Sequence, residues 1–395
     1  MECVGLRKWS HLILFAAVVV LLINCTGCDT AQPAGKGAEN SSVAPVRGEN
    51  ATKEVTTLVQ DIPSIAQVYA DYFPIGAAIQ PDMTTGKNAE IIKKHFNSVV
   101  AETRMKWQPT EPTENKFTFT DSDLIVNFAK ENHMKVRGHT LIWHTAVPSW
   151  VFQDVNGKEM TEPTEENKAL LRQRMENHIK NVVTHFGDDV YAWDVVNEAI
   201  DEKQPDGFRN SKWYQILGPE YIEDAFEYAH KYAPNAKLYI NEYETHIKKK
   251  RQFLYDLVKG LKSKGIQIDG VGHQSHFNVN WPATLDVIGE TLEMFAGLGV
   301  DNQITELDVS VYQNKSVAGN STLSQVLAEQ QGNRYHDLFD LFRREKTKGR
   351  ITGVTLWGIA DDHTWLTTKS RKDFPLLFDE QLKPKRAYWG VINLN

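Results

Sequence analysis

Cysteine is almost missing from this chain: of 395 residues, only Cys3, Cys25 and Cys28 carry a thiol, all of them near the N-terminus. A domain that begins after Cys28 can hold no internal disulfide, so its stability has to come from a large core, which a chain of this length can build. Positive charge is in deficit as well. Lys and Arg number 44 against 51 Asp and Glu, for a net charge of −7. The first residues, with Glu2, Arg7 and Lys8, contribute +1 of that and leave −8 on the remainder, which argues against nucleic acid as a partner. No apolar run spans a bilayer comfortably; Leu12 to Ile23 is too short. A Gly-rich phosphate loop and short-period repeats are both absent, so no phosphate-bearing cofactor and no solenoid are expected.

The short apolar run has its own reading. Arg7 and Lys8 precede it, which suits a secretory signal. Thr26-Gly27-Cys28, with small residues before the cysteine and polar residues after it, resembles a bacterial lipoprotein processing site, with Cys28 as the residue that takes the lipid. From Asp29 to about Lys53 the chain is rich in Ala, Gly, Pro, Ser and Asn without hydrophobic period, as in a flexible tether. The expected organisation is therefore a signal peptide at 1–27, a linker at 28–55 and one folded domain at 56–395, exported and held at a bacterial membrane through its N-terminal lipid.

Within the domain, Tyr191-Ala192-Trp193-Asp194-Val195-Val196-Asn197-Glu198 reads as a buried strand that ends on an amide and a carboxylate. Taken alone, Glu198 could equally flank the next helix. A second stretch, Gln303-Ile304-Thr305-Glu306-Leu307-Asp308-Val309, has the same build and puts Glu306 and Asp308 on one face of a strand. Two strands with inward acids at their ends describe a carboxyl pair facing across a cavity. Cleavage of a glycosidic bond needs such a pair, one group to protonate the leaving oxygen and one to attack or to activate water.

Strand-like and helix-like segments alternate along the rest of the domain. Strands are expected at Ile75 to Ile79, Ser98 to Glu102, Val136 to Trp143, Ala192 to Glu198, Lys237 to Tyr243, Val271 to Phe277, Gln303 to Val309 and Gly353 to Ala360. Amphipathic helices are expected at Asp121 to His133, Glu165 to Phe186, Tyr221 to Tyr232, Lys248 to Lys264, Leu285 to Leu298 and Leu323 to Lys346, with a last one from about Arg386. This count is that of an α/β (β/α)8 TIM barrel, a single catalytic domain whose chemistry sits at the carboxyl ends of the strands. Those ends gather His139, Trp143, His144, Asn197, Glu198, Asn241, Glu242, His273, Gln274, His276, Glu306 and Asp308. Polar groups in such number are better explained by a wet cleft than by a core. The basic run Lys248-Lys249-Lys250-Arg251 reads as a solvated helix start.

Trp193-Asp194-Val195-Val196-Asn197-Glu198, Thr305-Glu306-Leu307-Asp308, His139-Thr140-Leu141-Ile142-Trp143-His144 and Trp357 with Trp365 together resemble the family 10 glycoside hydrolases, the endo-β-1,4-xylanases. The similarity runs from about Ile75 to Tyr388. It implies endo-acting, retaining double displacement on β-1,4-xylan or xylo-oligosaccharides, with Glu306 as nucleophile and Glu198 as general acid/base. Retention calls for carboxyls roughly 5 to 5.5 Å apart. The negative charge of Glu306 would favour keeping a proton on Glu198, and loss of that charge on bonding to sugar would free Glu198 to act as base.

The same resemblance places Asn197 on the 2-hydroxyl of the reacting sugar. His276 would sit between Asp308 and Glu306 and orient the nucleophile, with Gln274 beside the reacting carboxylates. Glu102, Lys106 and His139 would bind hydroxyls of that sugar or the adjoining one, and Trp143, Trp357 and Trp365 would wall the subsite and crowd out a hydroxymethyl group. No metal and no cofactor are implied, and the protein is expected to act as a monomer. One departure stands out: Thr103 follows Glu102 where the family pattern has Asn, which replaces an amide by a single hydroxyl. Rival readings are a retaining barrel glycosidase on another β-glycan, a metal-dependent hydrolase built on His139, His144, His273 and His276, and a non-catalytic surface glycan-binding lipoprotein.

Overall fold

Nine short segments rich in Val, Ile and Ala supply the strands of the computed structural model, which describes residues 61–313, 319 and 322–393. The expected signal peptide, Cys28 and the linker lie outside the described residues. The strands are β1 (Ile75–Ile79), β2 (Ser98–Ala101), β3 (Lys135–Ile142), β4 (Val190–Asn197), β5 (Lys237–Glu242), β6 (Gly270–His273), β7 (His276–Asn278), β8 (Asp301–Ser310) and β9 (Gly353–Leu356). All pairings are parallel. They run from β1 to β6 in sequence order, pass from β6 to β8 and β9, and return from β9 to β1. Eight strands thus close into the expected (β/α)8 barrel.

Strands such as β1 and β2 are buried along their whole length, without the alternation of a half-exposed sheet, because helices cover the outside and side chains fill the inside. Tight filling shows at Gly138 in β3. A Cβ there would lie 2.2 Å from the Trp193 ring of β4, so only glycine lets that indole into the wall.

The strand reading needs one correction. Val271 to Phe277 is not continuous: Gln274 and Ser275 interrupt it, and Ser275 takes a φ of 65°. β7 then pairs with the far end of β8, in a register that sets His276 beside Asp308. The last strand also stops earlier than expected, at Leu356, so Trp357 begins the following loop.

Helices fill the connections largely where periodicity placed them. Glu165–Phe186 is found as expected, with the Thr164 hydroxyl accepting from Asn167 N at 3.2 Å, and the final helix is Arg386–Ile392. Gly86–His95, between β1 and β2, was not anticipated; only Ala89, Ile91, Ile92 and His95 are buried on it. The two ends of the described chain meet below the barrel, where Tyr69 Oη donates to Val391 O at 2.8 Å and Tyr388 Oη donates to Pro63 O.

Candidate active site

Barrel geometry delivers the two glutamates to one cleft. β4 ends at Asn197, and Glu198 follows with a φ of 57° and its N–H donating to Asn241 O at 2.9 Å. Such a φ is uncommon for a residue with a side chain, and strain of this kind collects at functional sites. β8 carries Glu306 and Asp308 two residues apart, so both side chains leave the same face, and both are nearly fully buried. The cleft has a volume of about 930 Å³ and is lined by Glu102, Lys106, His139, Trp143, Asn197, Glu198, Gln274, His276, Glu306, Asp308, Trp357 and Trp365. Every site residue expected from the sequence within the described chain therefore reaches one cleft.

The surroundings of Glu306 fix its charge state. Asn241 Nδ2 donates to its Oε1 at 2.6 Å, and His276 Nε2 lies 3.3 Å from its Oε2. His139 Nδ1 is 3.9 Å from Oε1 and makes its closer contact, 2.9 Å, with Asp194 Oδ2. Asp194 also receives Arg137, and all three are buried. Burial favours the neutral acid, but the charges of His139, His276 and Lys106 and the His276 hydrogen bond outweigh it and hold Glu306 at about 2. It is an anion at neutral pH.

His276 is the counterpart. Its Nδ1 lies 3.0 Å from Asp308 Oδ2, which also accepts from Trp365 Nε1 at 2.8 Å. Burial disfavours the imidazolium, yet Asp308 and Glu306 on its two sides push it up to about 10. Both ring nitrogens then carry protons, and His276 donates to both carboxylates.

Glu198 is contacted differently. Gln274 Nε2 donates to its Oε1 at 3.1 Å, and His144 Nε2 lies 3.9 Å from its Oε2. His144 is held down at about 4, by burial first and then by Arg209, so the ring beside Glu198 is neutral at ordinary pH. Lys106 crosses the cleft floor with its Nζ 4.8 Å from the Trp143 ring centroid and 6.0 Å from that of Trp357. Burial lowers the pKa of Lys106 while Glu306, Glu102 and Glu198 oppose the shift, and the net direction is down.

Glu102 and Thr103 stand at the β1–β2 arc of the rim. Glu102 Oε2 accepts from Gln80 Nε2 at 3.0 Å and contacts His363 Nε2 at 2.7 Å. The Thr103 hydroxyl donates to Gln80 Oε1 at 3.1 Å, so a single glutamine ties both rim residues together. Along the β5–β8 arc, Tyr243, Phe277, Trp281 and Tyr312 also line the cleft.

Sequence reasoning passed over several of these contributors. Asn241 is among the strand-end residues expected at the cleft, but the sequence assigns it no role; its contact with Glu306 shows only in the structure. Gln80 and His363 come from loops with no motif, and nothing in the chain marks them. Asp361, left out of the expected site, ties the last loop: it accepts from Leu376 N at 2.9 Å and pairs with Lys385 at 2.7 Å. Lys250 requires a correction. Far from being solvated, it is fully buried with its Nζ 2.9 Å from Glu242 Oε1. Among the described residues, no group of three or more His, Cys, Asp or Glu side chains is arranged to hold a metal ion.

Comparison with known proteins bears on the family and the fold. The family model described as "Glycosyl hydrolase family 10" matches residues 64–394. Endo-1,4-beta-xylanase A of Halalkalibacterium halodurans is 44% identical over 364 residues, covering 88% of this chain and 91% of that protein. The crystal structure of xylanase B from Clostridium stercorarium F9 superimposes with a TM-score of 0.81 at 47% identity, over 84% of this chain and 100% of that one. A mutant of the xylanase TsXylA from Thermoanaerobacterium saccharolyticum, in complex with xylotetraose, gives a TM-score of 0.75 at 42% identity, over 84% of this chain and 98% of that one.

Proposed function

We propose that this chain, which belongs to glycosyl hydrolase family 10, is an endo-acting retaining hydrolase of β-1,4-xylosidic bonds in xylan. The observation that carries the reading is the asymmetry of the carboxyl pair: Glu306 is held as an anion by Asn241, His139 and His276, while Glu198 faces it across the cleft from a neutral histidine and a glutamine amide.

In the first step Glu306 attacks the anomeric carbon as the glycosidic bond breaks, and Glu198 gives its proton to the departing oxygen. The product is a glycosyl ester on Glu306. Its formation removes one of the two anions beside His276, whose remaining ion pair with Asp308 keeps the ring in place. In the second step Glu198, now a carboxylate, takes a proton from water as the water oxygen attacks the anomeric carbon. The ester bond breaks, Glu306 leaves as a carboxylate, and two displacements give net retention. Asn197, Lys106 and His139 hold sugar hydroxyls next to this centre. Crowding by Trp143, Trp357 and Trp365, which line the cleft, would disfavour a hydroxymethyl group and so favour xylose over glucose.

The placement of the enzyme is part of the proposal. The Thr26-Gly27-Cys28 stretch behind a charged, apolar leader supports lipidation at Cys28 and a site of action at the bacterial envelope. Cys28→Ala should then move the protein from the membrane to the soluble fraction, and unchanged fractionation would exclude the anchor.

The catalytic reading is tested by following xylan hydrolysis with NMR of the first product, using the parent domain and Glu306→Ala, with a soluble β-glucan as second substrate. Early β-anomer from xylan, none from the variant and little turnover of glucan are expected. Early α-anomer would overturn retention, faster glucan turnover would overturn the substrate, and an inactive parent would favour a binding protein.

A further inference from the structure

The backbone that carries Glu198 is gripped from behind by groups that never enter the cleft. Arg209 Nε donates to Glu198 O at 2.7 Å, and its Nη2 reaches Ile200 O at 3.3 Å and Tyr243 Oη at 2.8 Å. The Arg209 N–H donates to Ala199 O at 2.8 Å. One residue thus holds three consecutive carbonyls after the strand end. The opposite polarity is met by Glu242, whose Oε2 accepts from Ile200 N at 2.9 Å. Glu242 in turn pairs with Lys250 at 2.9 Å, and the Lys250 ammonium lies 3.1 Å from the Tyr243 ring centroid. Glu242 and Lys250 are both fully buried.

A buried ion pair is seldom a gain in stability over apolar packing, so its presence here calls for another explanation. The explanation is next to it. Glu198 sits at a φ of 57°, a conformation that its neighbours have to impose, and a displaced acid cannot deliver its proton along the line of the breaking bond. We infer that Arg209, backed by the buried Glu242–Lys250 pair, is the positioning residue for Glu198. The inference rests on the assignment of Glu198 as acid/base made above. It adds that proton delivery depends on a residue eleven positions downstream, outside the cleft, that touches no sugar.

Leaving-group chemistry separates this role from a merely structural one. Cleavage of a xylo-oligosaccharide expels a sugar hydroxyl that needs the proton of Glu198. Cleavage of a dinitrophenyl β-xylobioside expels a phenolate that needs none, so its kcat/KM reports attack by Glu306 alone. In Arg209→Met, kcat/KM on the oligosaccharide should fall by about 10²-fold or more, the usual share of general acid catalysis, and change little on the aryl glycoside. Added azide should raise kcat on the aryl substrate. Its nitrogen replaces water at the anomeric carbon without a base, releases the Glu306 carboxylate and leaves a β-xylobiosyl azide. Arg209→Lys keeps the charge with a single donor group and should show the same selectivity to a smaller degree; it carries the test if the methionine variant does not melt cooperatively. Equal losses on the two substrates, or no loss on either, would overturn the inference while leaving the function intact. A parent protein inactive on both would overturn the function and this inference with it.

Discussion

His276 holds a proton on each ring nitrogen only because a carboxylate stands on either side of it. Asp308, itself fixed by Trp365 Nε1, is the outer of the two. In Asp308→Asn the counter-charge is lost, and burial should draw the His276 pKa down from about 10. With less positive charge beside it, Glu306 should titrate higher than about 2, so a smaller fraction is anionic in mild acid. The acid limb of kcat/KM therefore moves up in pH. The plateau should fall by about 10²-fold, the scale for losing one stabilising donor at a reacting group. A pH–rate profile of parent and variant checks both effects, and an acid limb that stays in place would refute the linkage.

Residues at this scale were legible to different degrees. Glu198 and Glu306 could be read because a carboxylate that ends an apolar strand is expensive unless it faces a cleft. Lys250 could not, since it lies on the helix Lys248–Ser263 while its partner Glu242 ends β5 and the ring of Tyr243 follows it, and a run of four basic residues looks the same whether or not one of them turns inward.

At the level of elements, the barrel strands were legible as short apolar runs between amphipathic helices, and their count gave the fold. The break between β6 and β7 was not. Val271 to Phe277 reads as continuous because a positive φ at Ser275 leaves no mark in the sequence. The turn is imposed from outside: Gln274 N donates to Glu242 O at 3.0 Å, and Gln274 O accepts from Glu306 N at 3.0 Å. Gln274 reaches Glu198 and His276 reaches Glu306 from the two sides of this kink, with Ser275 between them. Ser275→Gly should preserve both stability and turnover, because glycine accepts a φ of 65° without penalty. Ser275→Val should lose about 1 kcal/mol, because serine already bears the Cβ cost of a left-handed backbone and a β-branched side chain adds to it, and should lose activity in excess of that. Thermal melts with kcat for the two variants decide it; a valine variant indistinguishable from the parent would show that the kink is not enforced.

For the molecule as a whole, the buried titratable groups set the pH range in which the barrel stands. Burial holds His95 at about 3 and His246 and His273 at about 4, below the ordinary value of 6.5. The unfolded chain protonates these rings below about 6.5 and the native state resists, so each removes stability as pH falls from there towards its folded value. Glu306 acts lower down: its contribution is complete above 4.5 and is lost as pH falls towards about 2. His276 works on the alkaline side, complete below 6.5 and lost as pH rises towards about 10. Glu242, pushed by burial up to about 7, subtracts stability as pH climbs from 4.5 to that value. The most stable range should therefore lie near neutrality, with a pronounced acid flank. His95 isolates one part of that flank, for it is fully buried between the rings of Phe378 and Tyr388, and neither of its nitrogens has a partner among the described residues. In His95→Phe the aromatic contacts remain and the titration goes. The stability gained over the parent should be smallest above pH 7 and grow as pH falls from 6.5 to 4, by at most about 1.4 kcal/mol per pH unit. Paired thermal melts across that range read the effect directly. A difference between parent and variant that does not change with pH would mean that His95 plays no part in acid sensitivity, and would shift the acid flank to His246, His273 and the carboxylates.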